Sequence, residues 1–98
     1  MKTFQELIAS PVLVLVYFKA VWCTHCEAMS SVLAKIKAEQ KDDICLIEVD
    51  ADKYTEIALK YSIQTLPTLL FFKEGRQIWR QSGMIGAAEL TQVVKMFK

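Results

Sequence analysis

An uninterrupted apolar run, Pro11 to Phe18, leads within four residues into Trp22-Cys23-Thr24-His25-Cys26. The run is far too short to span a bilayer. Rich in valine and without alternation over Val12–Phe18, it reads as a strand covered on both faces. A strand of that kind needs a layer of structure above and below it, which points to an α/β arrangement.

The remaining pattern supplies those layers. Thr3-Phe4-Gln5-Glu6 has capping-box spacing and predicts a short helix ending near Ser10-Pro11. A second helix begins at the cysteine motif and runs to about Gln40, with Met29, Val32, Leu33 and Ile36 on one stripe and Lys35, Lys37 and Glu39 outside it. Ile44 to Val49 reads as a second buried strand. Asp52 is expected to cap a third helix carrying Tyr54, Ile57, Ala58 and Tyr61. Thr68–Lys73 and Gln77–Gln81 read as strands joined by a turn at Glu74-Gly75, after which Gly83 and Gly86 break the pattern. Leu90, Val93, Val94 and Phe97 mark a terminal helix. The order α-β-α-β-α-β-β-α implies parallel neighbours with right-handed crossovers and a final antiparallel hairpin. The expectation is a mixed sheet of about four strands with helices on both faces, in one domain spanning residues 1–98.

Charge narrows the partners. The net charge is +1, with acids and lysines interspersed, so no basic stripe suits nucleic acid and no polybasic run suits a membrane surface. Lys2 ahead of the apolar run imitates a leader peptide. No small-residue cleavage site follows it, however, and cleavage near Lys19 would remove the strand that feeds the cysteine motif. A cytoplasmic location is expected.

A C-x-x-C beside a βαβ pattern reads as a redox motif. With Cys23 at the helix start and Cys26 three residues on, both sulfurs meet at the first turn. Unpaired amides and the helix dipole favour a thiolate on Cys23, the reactive form. Cys26, set behind it, suits the resolving role: it attacks the mixed disulfide and releases the substrate. A protonated His25 near Cys23 would stabilise the reduced form and raise the reduction potential, at roughly 30 mV for about 1.4 kcal/mol. The metal alternative is weaker. Structural zinc takes four ligands, and the spare candidates are Cys45 and His25, the latter inside the pair itself; no metal and no bound cofactor are expected. Cys45, mid-strand among apolar residues, reads as a buried inert thiol.

Taken together, Val16-Tyr17-Phe18-Lys19-Ala20-Val21-Trp22-Cys23, Glu48-Val49-Asp50, Thr65-Leu66-Pro67-Thr68 and Phe71-Phe72-Lys73-Glu74-Gly75 resemble the thioredoxin family over nearly the whole chain. The resemblance implies a thioredoxin fold lacking the family's usual first strand, with Ile44–Val49 as a sheet edge open to a dimer contact. It implies a cis Leu66–Pro67 peptide facing the cysteines, with the backbone at Leu66 and Pro67 pairing with an extended substrate and Trp22, Gly83 and Met84 forming an apolar rim. It further implies a thiol–disulfide oxidoreductase acting on protein disulfides as a monomer or weak dimer, recharged by a thioredoxin reductase. The departures are specific. Thr24-His25 stands where typical thioredoxins have Gly-Pro, and a histidine there resembles protein disulfide isomerases and bacterial disulfide oxidases. Tyr17 replaces a buried acid, Leu46 its lysine partner, and Ser31 a helix-kinking proline. Glu48, on the strand face of Leu46, is the candidate replacement acid. Two other readings remain open here: isomerase-like or oxidising exchange, and a redox-sensing module that holds a partner and turns over little.

Overall fold

The first strand organises everything around it. In the computed structural model, which describes residues 3–98, α1 spans Phe4–Ile8 and β1 spans Leu13–Lys19. Every β1 residue but Lys19 is buried, as a strand covered on both faces must be. Thr3 and Glu6 close the expected capping box at α1. The chain continues through α2 (Thr24–Gln40), a single 3₁₀ turn (Lys41–Asp43), β2 (Ile44–Asp50), α3 (Thr55–Lys60), β3 (Thr68–Lys73), β4 (Arg76–Ser82) and α4 (Ala87–Phe97).

The sheet order is β2-β1-β3-β4. β1 pairs in parallel with β2, Tyr17 opposite Glu48 and Lys19 opposite Asp50, and antiparallel with β3. Alternation along β1 divides the core in two. Leu13, Leu15 and Tyr17 face α2 and α4, packing with Met29, Leu33, Ile36, Leu90 and Val94. Val14, Val16 and Phe18 face the other way, toward Ile8 of α1 and Ile57 of α3. Each such Leu or Ile, fully buried, contributes about 1.5–3 kcal/mol.

The β3–β4 hairpin turns on Glu74 and Gly75, both at positive φ (53° and 83°). Two consecutive left-handed residues match the twist of a two-residue hairpin, and glycine takes the second without a Cβ penalty. A register shift opposite Phe71/Phe72 lets the consecutive residues Ile78 and Trp79 pack against the same core cluster.

Two details differ from expectation and a third agrees with it. Asp52 does not cap α3: the helix starts at Thr55, and its N-cap Tyr54 makes no side-chain cap bond. Asp50 closes the preceding turn instead, its Oδ1 accepting from the amides of Asp52 (2.9 Å) and Lys53 (3.3 Å), and this moves the helix start past Asp52. Tyr54 and Tyr61 therefore flank α3 as its caps. Cys45 is half-buried, because β2 lies at the sheet edge with no outer neighbour among the described residues. Ser31 is exposed on a helix that runs unbroken over 17 residues.

Candidate active site

The cysteine pair is placed by the junction of β1 and α2. The amide of Cys23 donates to Ala20 O (3.2 Å), which turns the chain out of the strand. Cys23 is then the N-cap of α2, with extended backbone, and its Sγ accepts from the amide of Cys26 (3.2 Å). A sulfur thus occupies the place where a serine or aspartate oxygen usually satisfies a free helix amide. The two sulfurs are bonded to each other, with the Cα atoms 5.3 Å apart. Cys23 and Cys26 are 5 % and 3 % exposed, so the second is scarcely deeper than the first.

Beneath the pair the polar contacts converge on one carbonyl. The Tyr17 hydroxyl, wholly buried, donates to Cys26 O, and Ser30 Oγ donates to the same oxygen (3.0 Å) with the two hydroxyls 3.2 Å apart. Burial pushes the Tyr17 phenol above its ordinary range, so at neutral pH it is a neutral donor and not a base. Ser30 was not singled out from the sequence. Its signal is its place one turn after Cys26, where a hydroxyl can reach back to the i−4 carbonyl.

Glu48 does not replace the missing buried acid. It shares the strand face of Leu46 as expected, but its carboxylate is exposed and is held by Lys19 at 2.9 Å. That hydrogen bond to Glu48 raises the Lys19 ammonium above its usual range. Lys19 also lines a cleft of about 290 Å³ beside the cysteines, with Tyr17, Cys26, Glu27, Ser30 and Asp50.

The residues expected to form a rim differ in burial. Trp22 is 69 % exposed, which rules out a core role, and its Nε1 donates to Asp52 Oδ2 at 2.7 Å. Thr24 and His25 are exposed on the first turn of α2. The Leu66–Pro67 peptide is cis; Pro67 is buried and Leu66 packs against the core cluster that contains Cys23 and Cys26. Gly83, at φ 88°, donates its amide to Pro67 O (2.8 Å), which ties the Ser82-Gly83-Met84 loop to the proline. Met84 is exposed. Behind them Arg80 donates to the carbonyls of Tyr61 and Ser62, holding the segment that approaches the proline.

Among the described residues no three His, Cys, Asp or Glu side chains are grouped to hold a metal ion, and no helix is long and apolar enough to cross a membrane.

Comparison with known proteins adds relatives to this geometry. The thioredoxin family profile matches residues 1–96. The chain is 41 % identical over 95 residues to a thioredoxin-like protein, slr0233, of Synechocystis, a match covering 96 % of this chain and 90 % of that one. It is 37 % identical to a chloroplastic thioredoxin Y of rice, covering 95 % of this chain and 56 % of the other, and 38 % identical to a Drosophila protein disulfide-isomerase, covering 94 % of this chain and 19 % of that one. Among solved structures, a Malassezia sympodialis thioredoxin superposes with a TM-score of 0.86 at 28 % identity, covering 95 % of this chain and 81 % of the other. Fold, cysteine spacing and relatives agree, and the chain belongs to the thioredoxin family as a thiol–disulfide oxidoreductase.

Proposed function

We propose that the chain reduces or exchanges disulfides in protein substrates, with Cys23 as nucleophile and Cys26 as resolving thiol. The supporting observation is the capping geometry: Cys23 Sγ sits at the α2 N-terminus and accepts the Cys26 amide, an arrangement that favours a negative sulfur. The Cys23 thiolate attacks a substrate disulfide, one substrate sulfur leaves as a thiolate, and a mixed disulfide forms. The Cys26 thiolate then attacks Cys23 Sγ, so the substrate's second sulfur leaves and two electrons have passed from the protein dithiol to the substrate.

In this reading Trp22, Leu66, Pro67, Gly83 and Met84 form the binding rim, and the backbone beside the cis proline pairs with the substrate strand. Thr24 and His25, exposed beside Cys23, tune its thiolate. The chain acts as one domain in the cytoplasm, as a monomer or weak dimer, and a thioredoxin reductase returns its electrons. His25 favours a second reading, in which the couple is poised toward isomerase-like exchange or oxidation.

Three measurements test this. Cys23→Ser abolishes disulfide reduction, and retained activity refutes the proposal. Cys26→Ser accumulates mixed disulfides whose partners identify the substrates. Equilibration of the pair with glutathione separates the readings: a potential near about −270 mV marks a reductant, and one near about −180 mV marks exchange.

A further inference from the structure

Resolution requires Cys26 to lose a proton, yet the residues packed beneath it offer no base. Tyr17 is a neutral donor turned to the Cys26 carbonyl, and Ser30 is an alcohol bound to the same oxygen. The cleft beside the pair is different. It opens toward solvent, is large enough to admit several waters, and has Cys26 and Asp50 on its walls. Asp50 is half-buried and anchored, with Oδ1 engaged by two turn amides and Oδ2 without a hydrogen bond among the described residues. Anchoring fixes the carboxylate with little further loss of side-chain freedom. The other acids are less suited: Glu27 is exposed on the first turn of α2, and Glu48 is exposed and paired with Lys19.

Building on the proposed roles of the two cysteines, we propose that Asp50 accepts the Cys26 proton through water in this cleft during the resolving step. The Cys26 S–H bond breaks, its proton passes through water to Asp50 Oδ2, and the resulting thiolate attacks Cys23 Sγ. The bond between Cys23 and the substrate sulfur breaks, the substrate leaves as a thiolate, and the proton returns from Asp50 through water to that thiolate. Two electrons move to the substrate sulfur, and Asp50 ends as it began. Lys19, paired with Asp50 across the β1–β2 register, adds a positive charge to the lining of the cleft. The remaining groups that bear on this pH dependence are Tyr17 on β1, Glu48 on β2, and His25 and Glu27 on α2, all present in the variant described next.

The pair in the reduced protein reacts with an aromatic disulfide that releases a coloured thiolate twice, once on attack by Cys23 and once on attack by Cys26; the half-buried Cys45 adds a separate release, identified by its loss in Cys45→Ala. In Asp50→Asn, which keeps an oxygen for the turn amides, the first phase is unchanged and the second slows about 10- to 100-fold near neutral pH. The wild-type second phase is flat across neutral pH. In Asp50→Asn it instead rises about tenfold per pH unit, as expected when hydroxide replaces the base. Glu27→Gln and Glu48→Gln keep the wild-type profile. An unchanged second phase in Asp50→Asn, a slowed one that keeps the plateau, or loss of the plateau in Glu27→Gln or Glu48→Gln overturns the proposal. Should Asp50→Asn not fold, the wild-type and two glutamine profiles decide, and a wild-type second phase without a plateau overturns it. Absence of the first phase in wild type refutes instead the nucleophile role of Cys23.

Discussion

Replacing Tyr17 by Phe tests how the redox helix is held to the strand below it. The ring is wholly buried, and Phe fills the same space, so no cavity opens. What disappears is one hydrogen bond to Cys26 O. That carbonyl keeps Ser30 Oγ at 3.0 Å, so no acceptor is orphaned and the loss is that of one net hydrogen bond, about 1 kcal/mol. Tyr17→Ala, which removes the ring, costs about 3–5 kcal/mol by contrast. Urea unfolding followed by tryptophan fluorescence reads the difference. With a slope of about 1–1.5 kcal/mol/M, the Phe variant's midpoint falls by about 0.7–1 M without a change in slope. Ser30→Ala by itself costs a similar amount. The double variant leaves the carbonyl with the helix amide of Ser30 and costs about the sum of the two. A loss above about 2 kcal/mol for Tyr17→Phe, or no loss in either single variant, refutes the view that two hydroxyls share this carbonyl.

Both Tyr17 and Lys19 hold their protons more tightly when folded, Tyr17 through burial and Lys19 through its bond to Glu48. Stability from either is therefore full below its unfolded range and is lost as pH rises through the raised folded value, so unfolding free energy declines above about pH 10; Tyr17→Phe lessens that decline, read by denaturation at several alkaline pH values. Lys19→Met or Glu48→Gln costs only a few tenths of a kcal/mol, because the pair is more than a third exposed, and the difference vanishes in about 1 M salt. Ser62, at φ 54°, ends α3 with its amide on Leu59 O and the next amide on Ala58 O. Ser62→Gly removes the left-handed penalty and raises the melting temperature, by about 0.5–1 kcal/mol of stability. Gly83→Ala meets no atom within 4 Å but must keep φ 88°, so it costs about 1 kcal/mol or more and weakens the bond to Pro67 O.

Local pattern carried most of the fold. The valine run of β1, the 3.6-residue stripe of α2 and the Glu74-Gly75 turn each depend on neighbours within a few residues, and each formed where its pattern placed it. The cysteine pair was legible for the same reason, since strand, cap and first turn are contiguous. What escaped were contacts between distant segments. Trp22 takes the carboxylate of Asp52 across 30 residues, so an acid that looks like a helix cap is used elsewhere. Lys19 meets Glu48 only through the parallel register of β1 with β2, which no spacing in the chain reveals. Cys45 looked buried because its neighbours are apolar, but the strand order exposes it.

The central position of β1 also sets a timetable. Its partners on either side are β2, from Ile44, and β3, from Thr68, and the cluster that covers Cys26 includes Leu90 and Val94. During synthesis the two cysteines therefore leave the ribosome long before the segments that shelter them. Non-local pairing of this sort is slow, because loop closure precedes the contacts that reward it. For that interval the thiols and the valine run are open to oxidants, to other chains and to chaperones. The strand that makes the redox pair secure in the finished molecule makes it the most exposed part of the nascent one.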